Sequence, residues 1–508
     1  MESREGVALV ASEPRTGALA VCGPLQGSLW VLWPERERSD QPNWGCCCEL
    51  VWDARVAGPR VAAELDASRR ADRSGRPIKQ QRTVGHTACA SSNCVTASDA
   101  SGVRCMRLCV VVDTEPAAAV ATPSSMVRAL RLAAAGEDKT VRVFQRPYPD
   151  SSASWHCLLE YICPKRLCAI DLAHNGRYVL VADKTGNVYA FDLDESLAAA
   201  DTASPLTCQP EYARREGYRE PVMGHFSLIT DLQVSDDGRY VATADVDGHM
   251  RISRLPQVYD IVRIIPSCGG DARTVAADDY ITRLCWLPAS SVLMGLGTGV
   301  WMSSECAFEA PVHCGVLNGV VSESAPSSPR LVCVAVDRYA RLMLCVSRDG
   351  QYALKRMPEA HDGPNTDADL LAVDAARLSV AEPTDICRWW PAGDERAFAP
   401  PWLVIAWAPR GEADETETKS LLRDGVLSWL QVVPWKMADG KSTNERLLSA
   451  SPDDLQRALN QALIAGIRRH ARPEDTPPQP APRRLYRARD HAPAAWLAYW
   501  HRANDHDR

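Results

Sequence analysis

No run of about 18 apolar residues occurs along the chain, so no helical membrane span is expected. The opening stretch MESREGVALVASEPRTGALAV carries charges and lacks a long apolar core, so no secretory signal is expected either. Excess positive charge is also missing. The 508 residues carry a formal net charge of −7, which argues against a protein that coats nucleic acid by itself. Lysine is sparse beside abundant arginine and alanine, which reads as coding bias. No Ser/His/Asp arrangement and no His-Glu-x-x-His is legible, so no catalytic residues are assigned. Zinc needs converging ligands, usually as tight Cys-x-x-Cys pairs, and the 19 cysteines offer no doublet of such pairs. Cys46, Cys47 and Cys48 are contiguous, and His86, Cys89, Cys94, Cys105 and Cys109 form a loose cluster. These are read as small thiols filling sheet faces, with no metal site. An odd number of scattered cysteines points to reduced thiols in the cytosol or nucleus, and the nucleus is the expected location.

What is present is repetition. Residues 129–145, 168–193 and 229–253 share one layout: an apolar strand, small residues, a polar turn, then a strand of alternating character. In Asn187–Phe191 and His249–Ser253 alternate side chains would face opposite sides of a sheet. Asn175-Gly176, Thr185-Gly186, Asp237-Gly238 and Asp247-Gly248 are hairpin signals, since Gly and Asn/Asp tolerate positive φ. Ala134-Ala135-Gly136 and Ala242-Thr243-Ala244 are small enough for neighbouring sheets to approach. Phe144 and Phe191-Asp192 stand where WD repeats end a strand, close to one repeat of about 40–45 residues apart. The expected fold is therefore an all-β, seven-bladed WD40-type β-propeller with a C-terminal helix and basic tail. Leu29–Trp33 and Leu50–Asp53 belong to its first blade. Strands near 104–113, 281–303, 331–357 and 402–435 complete it.

The expected organisation is a propeller over 1–450 with inserted loops at about 66–100, 194–222 and 411–419. Residues 451–508 form a C-terminal helix, a Pro-rich linker and a basic tail. Leu455, Leu459, Ala462, Leu463 and Ile467 recur at helical spacing, behind an N-cap Ser451 and Pro452. Arg468, Arg469, Arg484 and Arg487 are candidate contacts to nucleic-acid phosphates, since guanidinium pairs phosphate bidentately.

The stretch MGHFSLITDLQVSDDGRYVATADVDGHMRIS at 223–253 gathers His225, Asp231, Asp245, Asp247 and His249. A Gly-His pair before a blade is read as structural, with His225 and Asp231 in a network that locks the blade, not as catalysis. Three phrases follow in order: Lys165-Arg166-Leu167-Cys168-Ala169, Leu180 to Asp192 (LVADKTGNVYAFD), and Gly224 to Asp231 (GHFSLITD). The last continues into Thr243–Asp247 and Arg251–Pro256. Over roughly 165–260 this resembles the WD-repeat, non-catalytic subunit of the tRNA (guanine-N7-)-methyltransferase. The resemblance implies a propeller that binds the catalytic methyltransferase subunit side-on as a heterodimer and holds it active. The complex would methylate N7 of a variable-loop guanosine in tRNA. It implies no cofactor on this chain, and contacts to the partner from Lys184, Val246, Asp247, His249, Arg251 and Arg254. The family usually carries a basic residue where Val246 stands, so an ion pair to an acidic partner residue is missing there. Two other readings compete. One is a general propeller scaffold, such as a ligase or chromatin adaptor, without a tRNA role. The other is an enzyme using Ser291–Gly299 as a Gly-rich cofactor loop, which needs a helix after the glycines.

Overall fold

In the computed structural model, the described residues are 9–13, 15–22, 28–36, 44–52, 103–112, 127–149, 153–173, 176–193, 221–235, 238–255 and 260–265, then twelve separate segments between 281 and 469. They form seven antiparallel sheets in chain order. Blade 1 is β1 (Leu9–Glu13), β2 (Ala18–Cys22), β3 (Leu29–Arg36) and β4 (Trp44–Trp52). Blade 2 is β5 (Val103–Val112), β6 (Val127–Gly136), β7 (Thr140–Pro147) and β8 (His156–Ile162). Blade 3 is β9 (Leu167–Ala173), β10 (Tyr178–Asp183), β11 (Asn187–Asp192) and β12 (Met223–Gly224). Blade 4 is β13 (Ile229–Val234), β14 (Tyr240–Asp245), β15 (Met250–Arg254) and β16 (Ile261–Ile265). Blades 5 and 6 are β17 (Ile281–Leu287) to β20 (Val312–Val316), through β18 (Ser291–Leu296) and β19 (Gly299–Ser304), and β21 (Leu331–Asp337) to β24 (Asp369–Leu371), through β22 (Leu342–Ser347) and β23 (Tyr352–Arg356). Blade 7 has three described strands, β25 (Ala381–Trp389), β26 (Trp402–Pro409) and β27 (Leu430–Pro434).

The innermost strands touch in sequence, β1 to β5, β9, β13, β17, β21 and β25, and β25 returns to β1. The ring is therefore closed and seven-bladed, as the repeat reading expected. Cores lie between blades, because each sheet is apolar on both faces and must bury both. Ala242, Ala244, Met250 and Ile252 of blade 4 pack on Leu284 and Trp286 of blade 5. The small residues at 242–244 let Trp286 lie flat there, stacked on Tyr240 at 6.3 Å.

The seam between blades 7 and 1 is closed by helix α1 (Pro452–Arg469). Its Leu455, Leu459, Ala462 and Leu463 are buried with Trp389, Trp402 and Leu430 of blade 7 and Trp30 and Leu32 of blade 1. Four of the five expected stripe residues thus meet a specific seam, the Ile467 side chain lies outside the described residues, and Ile464 is exposed. The Arg468 and Arg469 backbones end this helix. Arg484, Arg487, the Pro-rich linker, His86, Cys89, Cys94 and the insertions at 66–100 and 411–419 lie outside the described residues, as does the 194–222 insertion apart from its last two positions.

The reading that coupled His225 to Asp231 needs correction. Asp231 belongs to the wall of the central channel, where its Oδ2 accepts the Leu284 amide of blade 5 at 2.9 Å. Asp171 does the same from blade 3 to blade 4, accepting the Val234 amide at 2.7 Å. Asp385 accepts the Val10 amide at 3.2 Å and joins blade 7 to blade 1. Arg107 lies 3.4 Å from Asp171 and 4.0 Å from Asp231, and Arg283 pairs with Asp385 at 3.1 Å. Burial raises the Asp171 carboxyl above the usual carboxylate range, against the pull of Arg107 and two amides. Inner-strand carboxylates are thus the stitches between blades.

Candidate partner-binding face

Each described blade of the repeat region carries an aspartate where its second strand turns into the third, because a carboxylate there can accept the amides of a tight turn. Asp138 accepts the Thr140 amide at 3.1 Å and pairs with Arg142 at 2.6 Å. Asp183 Oδ1 accepts the Thr185 amide and hydroxyl at 2.8 and 2.7 Å and the Asn187 amide at 3.1 Å. Its Oδ2 accepts the Tyr189 hydroxyl at 3.0 Å. Gly186 follows at φ +89°, a left-handed conformation that a side chain rarely adopts. A Cβ there would meet the His225 and Ser227 carbonyls at 2.4 and 2.6 Å. The phrase Asp-Lys-Thr-Gly-Asn-Val-Tyr is therefore a hydrogen-bond circuit that leaves Lys184 outside, exposed.

Blade 4 repeats the device with an added imidazole. Asp245 Oδ1 accepts the Asp247 and His249 amides at 3.0 and 2.9 Å. His225 places Nδ1 2.9 Å from Asp245 Oδ2 and Nε2 2.7 Å from the Thr243 hydroxyl. The tight-turn aspartate that meets the Gly-His histidine is Asp245, twenty residues on. Burial pushes the Asp245 carboxyl up, but the bonds from His225 and the His249 amide, with the charge of both imidazoles, hold it below its ordinary value. A carboxyl depressed in the folded state contributes stability above its unfolded value, about 3.9, and loses it as pH falls through the folded value. The melting difference between wild type and Asp245→Asn should therefore be full at neutral pH and shrink below about pH 4. Thermal melts from pH 7 to pH 3 check this, and a difference that grows on acidification would refute it. Asp245, Asp247 and His249 come within 4.8 Å of one another, an arrangement these turn bonds already explain.

These turns and the loops entering each blade share one rim. The His225 amide donates to the Gly186 carbonyl at 2.8 Å, and the Val246 amide to the Leu228 carbonyl at 3.0 Å. Ser227 Oγ donates to Asp247. The rim brings together Lys184, Val246, Asp247 and His249, all exposed. It does not bring Arg254 with them. Arg254 lies at the far end of β15, paired with Asp260 at 3.2 Å. Arg251 is half-buried and turned back on blade 3, donating to the Gly224 carbonyl at 3.2 Å and to Ser253 at 2.9 Å.

Sequence reasoning missed Phe226 and Leu228. Phe226 is fully exposed, and Leu228 and Val246 are also exposed beside it along the rim. Exposed apolar residues grouped on one surface mark interaction sites. The available signal was an aromatic residue inside the loop GHFSLI, where no strand alternation calls for one.

Among the described cysteines, burial pushes the Cys22 and Cys109 thiols up to about 12, as for side chains packed inside the sheets. In the Gly-rich stretch, Ser291–Leu296 is strand β18 and Gly299 opens β19, antiparallel to it with Leu296 paired to Gly299. A strand follows the glycines, so the helix end that a nucleotide cradle requires is replaced by sheet.

Comparison with known proteins agrees with this architecture. Residues 51–216 match the family described as the tRNA methyltransferase TRM82 WD40 domain, and residues 219–252 match the WD domain, G-beta repeat. Three curated relatives are each named tRNA (guanine-N(7)-)-methyltransferase non-catalytic subunit TRM82. The Debaryomyces hansenii protein is 29% identical over 24% of this chain and 24% of its own length. The Phaeosphaeria nodorum protein is 30% identical over 32% of this chain and 40% of its own length. The Coccidioides immitis protein is 28% identical over 39% and 44%. The chain thus matches less than half the length of each of these relatives. Its repeats, its closed ring of blades and the WD-domain match make it a WD40-type β-propeller, similar over residues 51–216 to the WD40 domain of the tRNA methyltransferase TRM82.

Proposed function

We propose that this propeller is a non-catalytic subunit that binds a catalytic tRNA (guanine-N7-)-methyltransferase chain as a heterodimer. The complex methylates N7 of a variable-loop guanosine in tRNA. The observation that carries the reading is the rim of blades 3 and 4, where exposed Phe226, Leu228 and Val246 lie among Lys184, Asp247 and His249. A rim of this kind acts by binding one conformation of its partner more tightly than others, which raises that conformation's population. Val246 fits an apolar contact where the family would make an ion pair. We propose the nucleus as the site of action, on the basic character of the C-terminal tail alone.

Methyl transfer from radiolabelled S-adenosylmethionine to unmodified tRNA tests this with each chain alone and with both together. Activity only in the mixture, or much higher there, is the expected result. Activity from this chain alone would make it an enzyme, and no gain on mixing would leave a scaffold for another partner. Phe226→Asp should weaken binding to the catalytic chain by about 30-fold or more, as expected of a central aromatic anchor. Its melting temperature should stay at the wild-type value, since the ring is exposed. Binding by titration calorimetry beside a thermal melt decides this, and undiminished affinity would remove Phe226 from the interface.

A further inference from the structure

We propose that the seam between blades 7 and 1 is a binding groove for an amphipathic helix of another protein, which α1 fills in cis as a releasable strap. The groove does not depend on the function proposed above.

The ring closes at this seam without a shared strand. Each described sheet is built from strands consecutive in the chain, and blade 7 has three of them. Beneath the helix the blades hold one another directly. The Trp389 indole N–H donates to the Gly17 carbonyl at 2.7 Å, and Asp385 accepts the Val10 amide at 3.2 Å. Neither bond involves α1, so the helix can leave without breaking them.

The seat is shaped for a helix. Leu455, Leu459 and Leu463 are buried with Ala462 against Trp389, Trp402, Trp30 and Leu32. Gln456 and Asn460 bond alternate residues of β27, Val432 and Leu430. Gly466 allows the closest approach, since a Cβ there would stand 2.8 Å from Cys48 Sγ. A ligand for this seat therefore carries leucines at i, i+4 and i+8 and carboxamides at i+1 and i+5, the helix-in-groove mode of recognition. The cis helix leaves part of the seat unused. Its amide oxygens stand 3.2 and 3.4 Å from the strand amides, at the long end for such bonds. The buried Trp402 indole N–H has no hydrogen-bond partner among the described residues. A donor left unpaired there is a cost that a better-fitting helix removes.

Chain length permits the exchange. Val432 meets Gln456 and Leu430 meets Asn460, so α1 runs antiparallel to β27 and Pro452 starts near Pro434. The gap between them is on the order of 10 Å, yet seventeen residues, 435–451, join the two. Fully extended, a segment of that length reaches about 60 Å. The helix can therefore leave its seat and stay tethered, a competitor at an effective concentration on the order of 1 mM. A helix supplied in trans must displace it, so weakening the cis helix opens the site.

Fluorescence anisotropy of a labelled synthetic peptide with the sequence of residues 452–469 tests this on the full chain. The Leu459→Ala protein should bind the peptide at least about tenfold more tightly than wild type, because a larger fraction of its seats stands open. The same substitution in the peptide should abolish binding. Gly466→Cys supplies a second readout if the first variant folds poorly. A Cβ at 466 lies 3.2 Å from the Cys48 Cβ, near the roughly 3.5–4.5 Å of a disulfide. Oxidised by a small-molecule disulfide, this variant should bind no peptide. Reduced, or with Cys48→Ser beside it, it should bind at least as well as wild type. Equal binding by the oxidised and reduced forms, or no binding to either opened variant, would overturn the groove. A covalent dimer as the main oxidised product on a non-reducing gel would assign the seat to a second copy's helix and overturn the separate partner.

Discussion

A chain truncated before residue 452 is expected to lose the soluble monomeric state, even though every described strand of the propeller remains. Among the described residues β27 is the outermost strand of blade 7, and without the helix its outer backbone would be an edge, a template for pairing with another chain. Helix α1 covers that edge with side-chain amides. Asn460 Nδ2 donates to the Leu430 carbonyl at 3.1 Å, and Asn460 Oδ1 accepts the Leu430 amide at 3.4 Å. Gln456 Oε1 accepts the Val432 amide at 3.2 Å. One turn apart on the helix, these two side chains reach alternate residues of the strand and stand in for part of a fourth strand. The apolar face below is large, since Leu455, Leu459 and Leu463 cover Trp389 and Trp402. Gly466 lets the helix approach β4, because a Cβ there would meet Cys48 Sγ at 2.8 Å. Two point variants separate the contributions. Leu459→Ala should cost about 3 kcal/mol through the cavity it leaves. Gln456→Ala/Asn460→Ala should cost about 1 kcal/mol for each strand amide left without its acceptor. Urea midpoints measure the point variants and light scattering the truncation. A truncated chain that stays monomeric with the wild-type melting temperature would show that the helix is no latch.

The blades were legible because their signals are local. Alternation within five or six residues and a Gly after Asn, Asp or Thr each reflect one strand or one turn, and Gly176, Gly186, Gly238 and Gly248 all adopt positive φ. The helix was legible by its stripe, but not its seat, since nothing in Leu455–Leu463 names the β27 edge. Pairings between blades were hidden for the same reason. Asp231 stands six residues from His225, yet the ring places it against Leu284, while His225 reaches Asp245. Of the six residues expected to meet a partner, the four at turns reached one rim. Arg251 and Arg254 share a short strand whose two ends lie on opposite sides of the propeller.

Asp183→Ala is expected to be among the most damaging single substitutions in blade 3. The side chain is fully buried, and it accepts from Thr185 twice, from the Asn187 amide, and from Tyr189. The Asn187 side-chain amide adds a longer contact at 3.3 Å. Hydrogen bonds to a charged acceptor contribute about 1.5–3 kcal/mol each, without simple additivity, and a buried donor left unpaired costs more than an exposed one. Tyr189 is buried, so its hydroxyl would lose its partner away from water, whereas the Thr185 groups can turn to solvent. The net loss should be about 3–5 kcal/mol, a fall in melting temperature of roughly 5–10 °C. Asp183→Asn keeps one acceptor oxygen and should lose about half as much. Tyr189→Phe removes only the buried hydroxyl and should be nearly neutral alone, yet it should lower the cost of Asp183→Ala when the two are combined, because the orphaned donor is then gone. Lys184 is displayed by this same turn, so Asp183→Ala should also weaken partner binding at temperatures where the blade remains folded. Thermal melts and binding titrations on the four variants decide it. A double variant no more stable than Asp183→Ala would place the cost in the turn amides instead of the tyrosine.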